Sequence, residues 1–296
     1  MTEEIIRNEQ GVIVVKNQLK DDMMHGECHE YFDDGTPMST CHFHNGKRHG
    51  ECKTWYKGGQ PREQLFYKHG GRHGEYKSWH YNGRLSKHCF YVNSCYHGEY
   101  SEWHRNGNLH THCFYKKGNK HGESRHWYEN GQLADRSIWE NGILHGVSQQ
   151  WYENGQAQAY VMMVKGNMSG TFTAWHQCGQ IAEVCEIKDG TVDGEMKTWY
   201  PDGKMSEHSF FRDGVSDGES KTFCTNGKLL THSFYKDNEY HGENKMFLSN
   251  GKLINHGFYC AGANITDEVQ EIVNDINHLT TEEKLLIKLK WGIPCI

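Results

Sequence analysis

Glycine recurs along this 296-residue chain with a period of 24 residues, and this regularity limits the fold more than any other feature. One series is unbroken and usually follows a histidine: Gly26, Gly50, Gly74, Gly98, Gly122, Gly146, Gly170, Gly194, Gly218 and Gly242. A second complete series lies nine residues later, and a third, from Gly46 to Gly262, is interrupted only by Ser94 and Asn238. Because the three series use 28 of the 33 glycines, glycine marks repeating structure here rather than flexible linkers.

Each 24-residue unit divides into two short segments separated by turn signals. In residues 121–142, HGESRHW precedes YENG, and QLADRSIW precedes ENG. Asn-Gly and Asp-Gly between segments rich in aromatic and β-branched residues favour β-hairpins, because both turn positions tolerate positive φ. Each unit is therefore predicted to form one hairpin, with three-residue loops that hold glycine in the left-handed conformation.

Aromatic residues follow the same period. Seven of the nine tryptophans share one column, which Tyr31, Phe223 and Phe247 complete: Trp55, Trp79, Trp103, Trp127, Trp151, Trp175 and Trp199. A column six residues later is apolar, and a column six further on runs from Phe43 to Tyr259. All three columns are odd-numbered, and side chains alternate between faces along a strand. Together with three-residue loops, this pattern predicts one continuous, buried aromatic stripe.

These patterns predict an all-β repeat fold, an elongated, twisted antiparallel β-meander of about ten 24-residue hairpins with a short α-helical C-terminal cap. Residues 25–262 hold the ten repeats, and residues 1–24 align as a degenerate half-repeat that caps the N-terminal end. In residues 263–296 the period stops. Helical spacing behind a Thr266 N-cap there predicts short helices that cover the open edge of the last strand.

Composition argues against several classes of function. The formal net charge is −6 and no long run of Lys or Arg occurs, so nucleic acid is not an expected partner and membrane contact is only weakly supported. The N-terminal MTEEIIRNEQ is acidic where a secretory signal is basic, and no apolar run is long enough to span a membrane. We therefore expect a cytoplasmic protein whose 11 cysteines are reduced thiols.

The recurring His-Gly-Glu triplets raise the question of chemistry. Equivalent residues of successive hairpins lie two strands apart, ~9.6 Å, whereas zinc needs ligands ~2.0–2.3 Å from the metal. The histidine and glutamate columns are therefore predicted to be structural. No phosphate-binding glycine loop, nucleophile elbow or HExxH motif occurs either. We expect no catalytic residue, no cofactor and no metal site.

The cysteines could form a disulfide or a metal site. Cys28 and Cys41 can face each other across one hairpin, although other registers remain open, and a bridge between them is not favoured. The pair His88–Cys89 beside residues 112–113, also His-Cys, is the best metal candidate and is disfavoured by the same spacing argument.

Units of the form HGE-x3-W-Y-x-N-G-x-L-x5-F-Y-x-N-G, as in HGESRHWYENGQLADRSIWENG, resemble MORN repeats (membrane occupation and recognition nexus). The closest resemblance is to the variant also found in proposed bacterial antitoxins and in proteins of large DNA viruses. It implies an elongated antiparallel β-meander used for protein interaction, dimerisation or placement near membranes. Family members that are enzymes carry a separate catalytic domain. The triplet histidine is replaced at Ser169, Asp193 and Asp217, and the glutamate at Val147 and Thr171.

Two functions from different classes follow. The first is a non-enzymatic scaffold that binds other proteins or itself, including within a large assembly such as a virion; the number of repeats favours it. The second is an antitoxin-like neutraliser of one partner protein, and a peripheral membrane organiser is a weaker third. Phe66, Phe90 and Phe114 lie outside the aromatic stripe and are predicted to mediate self-association, forming a homo-oligomer.

Overall fold

The computed structural model describes residues 1–268 and Gln270, and every regular element before Thr266 is a β-strand. In residues 2–140 and again in residues 157–264, successive long strands pair antiparallel, as β3 (Met23–Tyr31), β4 (Pro37–His44) and β5 (Lys47–Trp55) do. Each 24-residue unit supplies two long strands. The predicted all-β antiparallel meander of hairpin repeats is confirmed.

The strands fall into two compact units, Met1–Gly146 with Glu153–Gly155, and Val147–Tyr152 with the described residues from Gln156 onward. The first unit also holds β1 (Thr2–Arg7), β2 (Ile13–Lys20), β6 (Pro61–Lys68), β7 (Gly71–Trp79), β8 (Leu85–Val92), β9 (Cys95–Trp103), β10 (Leu109–Lys116), β11 (Asn119–Lys120), β12 (Gly122–Trp127) and β13 (Leu133–Glu140). The boundary falls within β14 (Ile143–Trp151). The second unit holds β15 (Ala157–Val164), β16 (Asn167–Trp175), β17 (Ile181–Lys188), β18 (Thr191–Trp199), β19 (Met205–Arg212), β20 (Val215–Phe223), β21 (Leu229–Lys236), β22 (Glu239–Phe247), β23 (Leu253–Cys260) and β24 (Ala263–Asn264).

Two kinds of turn alternate along each unit. Residues 56–60 join β5 to β6 as a five-residue loop, in which Tyr56 N donates to Gln60 O and Gly59 N donates to Tyr56 O. A two-residue turn joins β4 to β5, with φ of 48° at Asn45 and 73° at Gly46. Positive φ at both central positions is the type I′ geometry that matches strand twist. The prediction of three-residue loops is wrong, because the two turn signals of each unit encode loops of different length.

The two interruptions of the third glycine series keep the same backbone. Ser94 has a φ of 66° and Asn238 a φ of 68°. Ser94 Oγ accepts a hydrogen bond from Arg72 N at 3.1 Å, and Asn238 Oδ1 accepts one from Ser216 N at 2.7 Å. These bonds offset part of the steric cost of a left-handed residue with a side chain. The turn therefore survives the loss of glycine.

The tryptophans and the buried cysteines lie on opposite faces of the sheet. Cys52 in β5 lies opposite Leu65 in β6, but a register shift further along brings Trp55 opposite Pro61. Side chains alternate along β5, so Cys52 and Trp55, three residues apart, lie on opposite faces. The shift is a bulge that adds one residue to β6 and thereby reverses the odd–even pattern on that strand.

The two faces have different characters. We call the one that carries Cys52 and Leu65 the cysteine face, and the one that carries Glu51 and Trp55 the glutamate face. Tyr67 follows Leu65 by two residues and lies on the cysteine face. The prediction of one continuous aromatic stripe is wrong, because the bulge places the tryptophan and tyrosine columns on opposite faces.

The core of the first unit is a single row of side chains that crosses the cysteine face, with one residue from each long strand from β3 to β13. It comprises Cys28, Cys41, Cys52, Leu65, Tyr76, Cys89, Tyr100, Cys113, Ser124 and Ser137, all buried. Small side chains thus occupy the most buried positions, and Cys89 is fully inaccessible. Tyr67, Tyr96 and Tyr115 pack against this row from its sides. All seven tryptophans of the repeat column are only partly buried.

The ends of the repeat array hold further elements. Residues 1–24, predicted as the N-terminal cap, contain the paired strands β1 and β2. At the other end, Thr266 is the first helical residue, and its N donates to Asn264 Oδ1 at 3.0 Å. Phe258 N donates to Thr266 Oγ1 at 3.0 Å, which ties the helix start to β23. The rest of the predicted helical cap lies outside the described residues.

Candidate interaction surface

The triplet histidine accepts a hydrogen bond from a neighbouring turn at His25 and His49, whereas Nδ1 of His73 and Nδ1 of His121 are buried without a partner. His69 N, in the left-handed turn after β6, donates to His49 Nδ1 at 3.5 Å. Where Asp193 replaces the histidine, Asp213 N donates to Asp193 Oδ1 at 3.4 Å, so the carboxylate takes the same place. The residue type matters because it supplies an acceptor at a fixed distance from the strand. An unpaired turn N–H would otherwise lose a hydrogen bond.

The triplet glycine combines positive φ with close packing. All ten members of the series have positive φ, from 78° at Gly170 to 122° at Gly194 and Gly218. A Cβ at Gly218 would lie 3.0 Å from Phe210 Cβ, and one at Gly74 would lie 3.4 Å from Phe66 Cβ. Glycine is therefore favoured by the backbone throughout the series and at Gly218 also by the Phe210 side chain, whereas an added Cβ at Gly98 or Gly170 would meet no atom within 4 Å.

The triplet glutamate bonds a lysine of its own strand and a histidine across the hairpin on the glutamate face. Glu75 Oε1 lies 2.8 Å from Lys77 Nζ and 2.8 Å from His88 Nε2. In the second unit, Glu195 pairs in the same way with Lys197 and His208. The hydrogen bond from Lys77 holds the pKa of Glu75 below its usual range. Each such glutamate links one strand to its hairpin partner.

Tryptophan backbones accept a further ladder of hydrogen bonds between repeats. Tyr56 Oη donates to Trp79 O at 2.8 Å, and His80 Nε2 donates to Trp103 O at 2.9 Å. The carbonyl can only accept, so the proton of His80 lies on Nε2. Tyrosine and histidine are thus interchangeable at this position, because both reach the carbonyl of the residue 23 positions later.

The structure shows where Cys28 and Cys41 lie and whether the cysteines are reduced. Cys28 lies directly opposite Cys41, as the hairpin pattern allowed. Cys41 and Cys52, however, form a disulfide with Cα atoms 4.1 Å apart. The prediction that the cysteines are reduced is therefore wrong at this pair, because the two-residue turn brings β4 and β5 into a register that places the two residues face to face.

The sequence candidate for a metal pair is divided by the sheet. His88 bonds Glu75 on the glutamate face, whereas Cys89 is buried on the cysteine face. Neighbouring strand residues point to opposite faces, so a His-Cys dipeptide cannot ligate one ion from a strand. Among residues 1–268 and Gln270, no group of three or more His, Cys, Asp or Glu side chains is placed to hold a metal ion.

An open cleft lies at the five-residue loops of the first unit. Its lining residues are Tyr56, His80, Tyr81, Asn82 and Arg105, and its volume is about 470 Å³. The Tyr81 ring meets the Tyr56 ring edge-on at a centroid distance of 5.2 Å and is 66% exposed. Asn82 Nδ2 donates to Arg105 O at 2.8 Å, which fixes the two loops against each other. The cleft therefore presents an aromatic ring beside an exposed arginine on a hydrogen-bonded base.

Sequence reasoning missed this cleft because it followed the constant columns. Tyr81 and Arg105 occupy one loop column, in which Lys57, Glu129 and Glu153 stand at equivalent places. Because the residue type at this position varies between repeats, the repeat fold does not require a particular side chain there. Such variation, with a large aromatic in one unit, is the sequence signal that points to this surface.

Antiparallel hairpins that repeat every 24 residues, joined by ladders of side-chain hydrogen bonds, define an all-β repeat protein. Six segments of the chain match the family model described as "MORN repeat variant": residues 48–69, 72–93, 96–117, 120–141, 144–160 and 192–213. The chain is therefore a MORN-repeat protein of the variant type.

Other comparisons add little. No curated protein matches the chain. A solved structure described as "Crystal Structure of TcdB2-TccC3-TEV" is similar at 9% identity over 84% of this chain and 15% of that chain, with a TM-score of 0.18. The chain thus spans a small part of that structure's length, and a likeness this low carries no argument. Among the residues described, no helix has the length and apolar character needed to cross a membrane.

Proposed function

We propose that this protein is a non-enzymatic scaffold that binds protein partners, including copies of itself, through surfaces that the repeat ladders leave accessible. MORN repeats generally serve as scaffolds for interaction with proteins or membranes. The histidine, glutamate and cysteine side chains that could take part in catalysis instead make structural contacts within the repeats. His49 accepts a hydrogen bond from a turn, Glu75 bonds Lys77 and His88, and Cys89 is buried.

The loop cleft is the observation that carries this proposal. Tyrosine and arginine are enriched among residues that dominate binding energy at interfaces. Tyr81 offers a large, rigid ring, and Arg105 offers a charged planar group beside it. The hydrogen bond from Asn82 to the Arg105 backbone organises the site before binding. A preorganised site loses less conformational entropy when a partner docks.

The test uses the full chain as bait in a lysate of its native host. Wild type is compared with the double variant Tyr81→Ala/Arg105→Ala and with the control Thr225→Ala, which changes an exposed residue of the same loop column in another repeat. We expect wild type and the control to retain the same specific protein and the double variant to lose it, with thermal unfolding unchanged. Equal retention by all three would reject the cleft as the contact surface.

Self-association is supported by a second surface. Phe114 lies on the glutamate face beside His112, at a ring-centroid distance of 5.1 Å, and is 42% exposed. We expect Phe114→Ser to shift sedimentation velocity profiles toward the monomer, whereas Tyr81→Ala should not. A wild-type chain that sediments as a monomer at every concentration would reject self-association.

The identity and ratio of captured partners distinguish the settings in which such a scaffold acts. A neutraliser would bind one protein at fixed stoichiometry and abolish its activity. A scaffold in a virion or another large assembly would bind structural components at several sites. A membrane organiser would sediment with vesicles. Each outcome assigns the same chain to a different setting.

A further inference from the structure

Three cysteines lie side by side on the cysteine face of the first unit. Cys28 in β3 stands opposite Cys41 in β4, and Cys41 stands opposite Cys52 in β5. All three are buried, with exposures of 5%, 6% and 2%. Cys41 and Cys52 are bonded, and Cys28 is a free thiol. The middle cysteine thus has a sulfur-bearing neighbour on each side but can bond only one.

We propose that this row is a thiol–disulfide exchange site, in which the bond alternates between Cys41–Cys52 and Cys28–Cys41. Cys28 gives its proton to water, and its thiolate attacks Cys41 Sγ. The Cys41–Cys52 bond breaks, and Cys52 leaves as a thiolate that takes up a proton. One disulfide and one thiol are present before and after, so the step needs neither oxidant nor reductant.

The local geometry supports this exchange. Residues directly opposite in antiparallel strands have Cβ atoms about 4.5–5.5 Å apart, close to the ~3.5–4.5 Å that a disulfide spans. Rotation of the cysteine side chains with a small approach of the two strands therefore brings sulfurs of neighbouring strands together. A cavity of about 60 Å³ borders Cys28 and Cys41, and Arg48 and Glu30 form part of its wall. The cavity gives Cys41 Sγ room to turn from one neighbour to the other.

Burial sets the rate and the selectivity of the reaction. It raises the pKa of Cys28, and the nearby Glu30 and Glu4 carboxylates act in the same direction. The thiolate is therefore scarce near neutral pH, and exchange should accelerate as pH rises. The same burial keeps external thiols away from the disulfide. Cys28 is thus the favoured nucleophile.

The position of the bond decides which strands are covalently joined. The Cys41–Cys52 bond joins β4 to β5, whereas a Cys28–Cys41 bond would join β3 to β4. In the second state β3 can no longer separate from β4. At the same time β4 loses its covalent bond to β5, so the exposed edge strand β1, its partner β2 and the β3–β4 hairpin are held to β5 by strand pairing alone. Exchange would thereby move the covalent cross-link between the β4–β5 and β3–β4 hairpins.

The chain contains its own control. Cys89 and Cys113 are buried in the same row, but Cys89 stands opposite Tyr76 and Tyr100, and Cys113 stands opposite Tyr100. Neither has a cysteine across the strand pair. These two thiols should therefore stay unbonded under every condition in which the first three exchange.

Disulfide mapping of the full chain tests the proposal. Tryptic cleavage after Lys20, Lys47, Arg48 and Lys53 places Cys28 and Cys41 in peptide 21–47 and Cys52 in peptide 49–53. Protein prepared without reductant is held at about pH 7 or about pH 9, quenched in acid, unfolded, alkylated with N-ethylmaleimide and digested. One state gives the two peptides cross-linked. The other gives peptide 21–47 with an internal bond and peptide 49–53 alkylated.

We expect both states in wild type, with the internal bond appearing faster at the higher pH. Cys28→Ser should give only the cross-linked peptides. Cys52→Ser, exposed to oxidised glutathione, should give only the internal bond, and Cys89→Ser should match wild type. Circular dichroism checks that each variant is folded. Wild type with only the cross-linked peptides at both pH values, a fully reduced row, or bonds to Cys89 or Cys113 would overturn the proposal.

Discussion

At the scale of single residues, left-handed backbone positions decide where this chain turns, and Gly58 and Gly59 allow a direct comparison. Gly59 has a φ of 80° with no atom within 4 Å of an added Cβ, whereas Gly58 lies outside the left-handed region and faces only the flexible end of Gln60. We expect Gly59→Ala to lower the free energy of unfolding by about 1–2 kcal/mol from backbone strain alone. Gly58→Ala should change it by less than about 0.5 kcal/mol.

Urea unfolding of both variants measures this difference. Since the two residues share one loop, changes in loop solvation affect them alike and cancel in the comparison. Equal losses for Gly58→Ala and Gly59→Ala would show that the loop tolerates left-handed alanine and that strain does not explain the second glycine series.

At the scale of paired strands, the triplet glutamates make stability depend on pH. The hydrogen bond from Lys77 lowers the pKa of folded Glu75, with a smaller contribution from His88. A carboxyl group whose pKa is lower in the folded state stabilises the fold above its unfolded pKa, ~4.3, and loses that contribution as pH falls through the folded value. We expect Glu75→Gln to be less stable than wild type at pH 6, and the difference to shrink by pH 3.

The measurement is the urea midpoint of both proteins at the two pH values. Glu140→Gln, which changes an exposed glutamate at the end of β13, is the control and should follow wild type. A gap between Glu75→Gln and wild type that stays constant from pH 6 to pH 3 would argue against an ionic role for the ladder.

Packing between strands predicts an order of mutational cost. Tyr100 is 9% exposed and contacts the Tyr96 and Tyr115 rings at 5.2 and 5.4 Å. Tyr100→Ala should therefore cost about 3–5 kcal/mol, as for a large buried aromatic. Trp127 is only partly buried, so Trp127→Ala should cost less than Tyr100→Ala, about 2 kcal/mol. Thermal or urea unfolding checks the order. A larger loss of unfolding free energy for Trp127→Ala than for Tyr100→Ala would show that the tryptophan column belongs to the core.

At the scale of the whole molecule, histidine content couples charge to pH. Full protonation of the 22 histidines would move the formal charge from −6 to +16. Burial and the neighbouring His104 and His126 lower the pKa of His110, so the reversal is incomplete at mildly acidic pH. We expect the chain to bind vesicles of anionic lipid at pH 5 and not at pH 7.5 in matched salt, and added salt to release it. Identical binding at both pH values would reject a surface role for the histidine rows.

The 24-residue period, the two strands of each unit and the places where the chain turns follow from the sequence by itself. These features are local: left-handed turn positions favour glycine or asparagine, and a strand ends where the turn begins. Even at Ser94 and Asn238 the period predicts the correct turn, since the surrounding strands impose it. The recurrence of one unit, from Gly26 to Gly242, was therefore enough to derive the hairpin meander.

Only the tertiary structure decided which columns are buried and which residues meet. One extra residue in β6 places Tyr67 on the face opposite Trp55, and a period cannot reveal a bulge that recurs from repeat to repeat. The Cys41–Cys52 bond and the Tyr81 cleft depend on strand register and on the loops of two and five residues that set it, whereas the turn signals by themselves predict three-residue loops. Side chains alternate with a period of two, so a shift of a single residue exchanges core for surface.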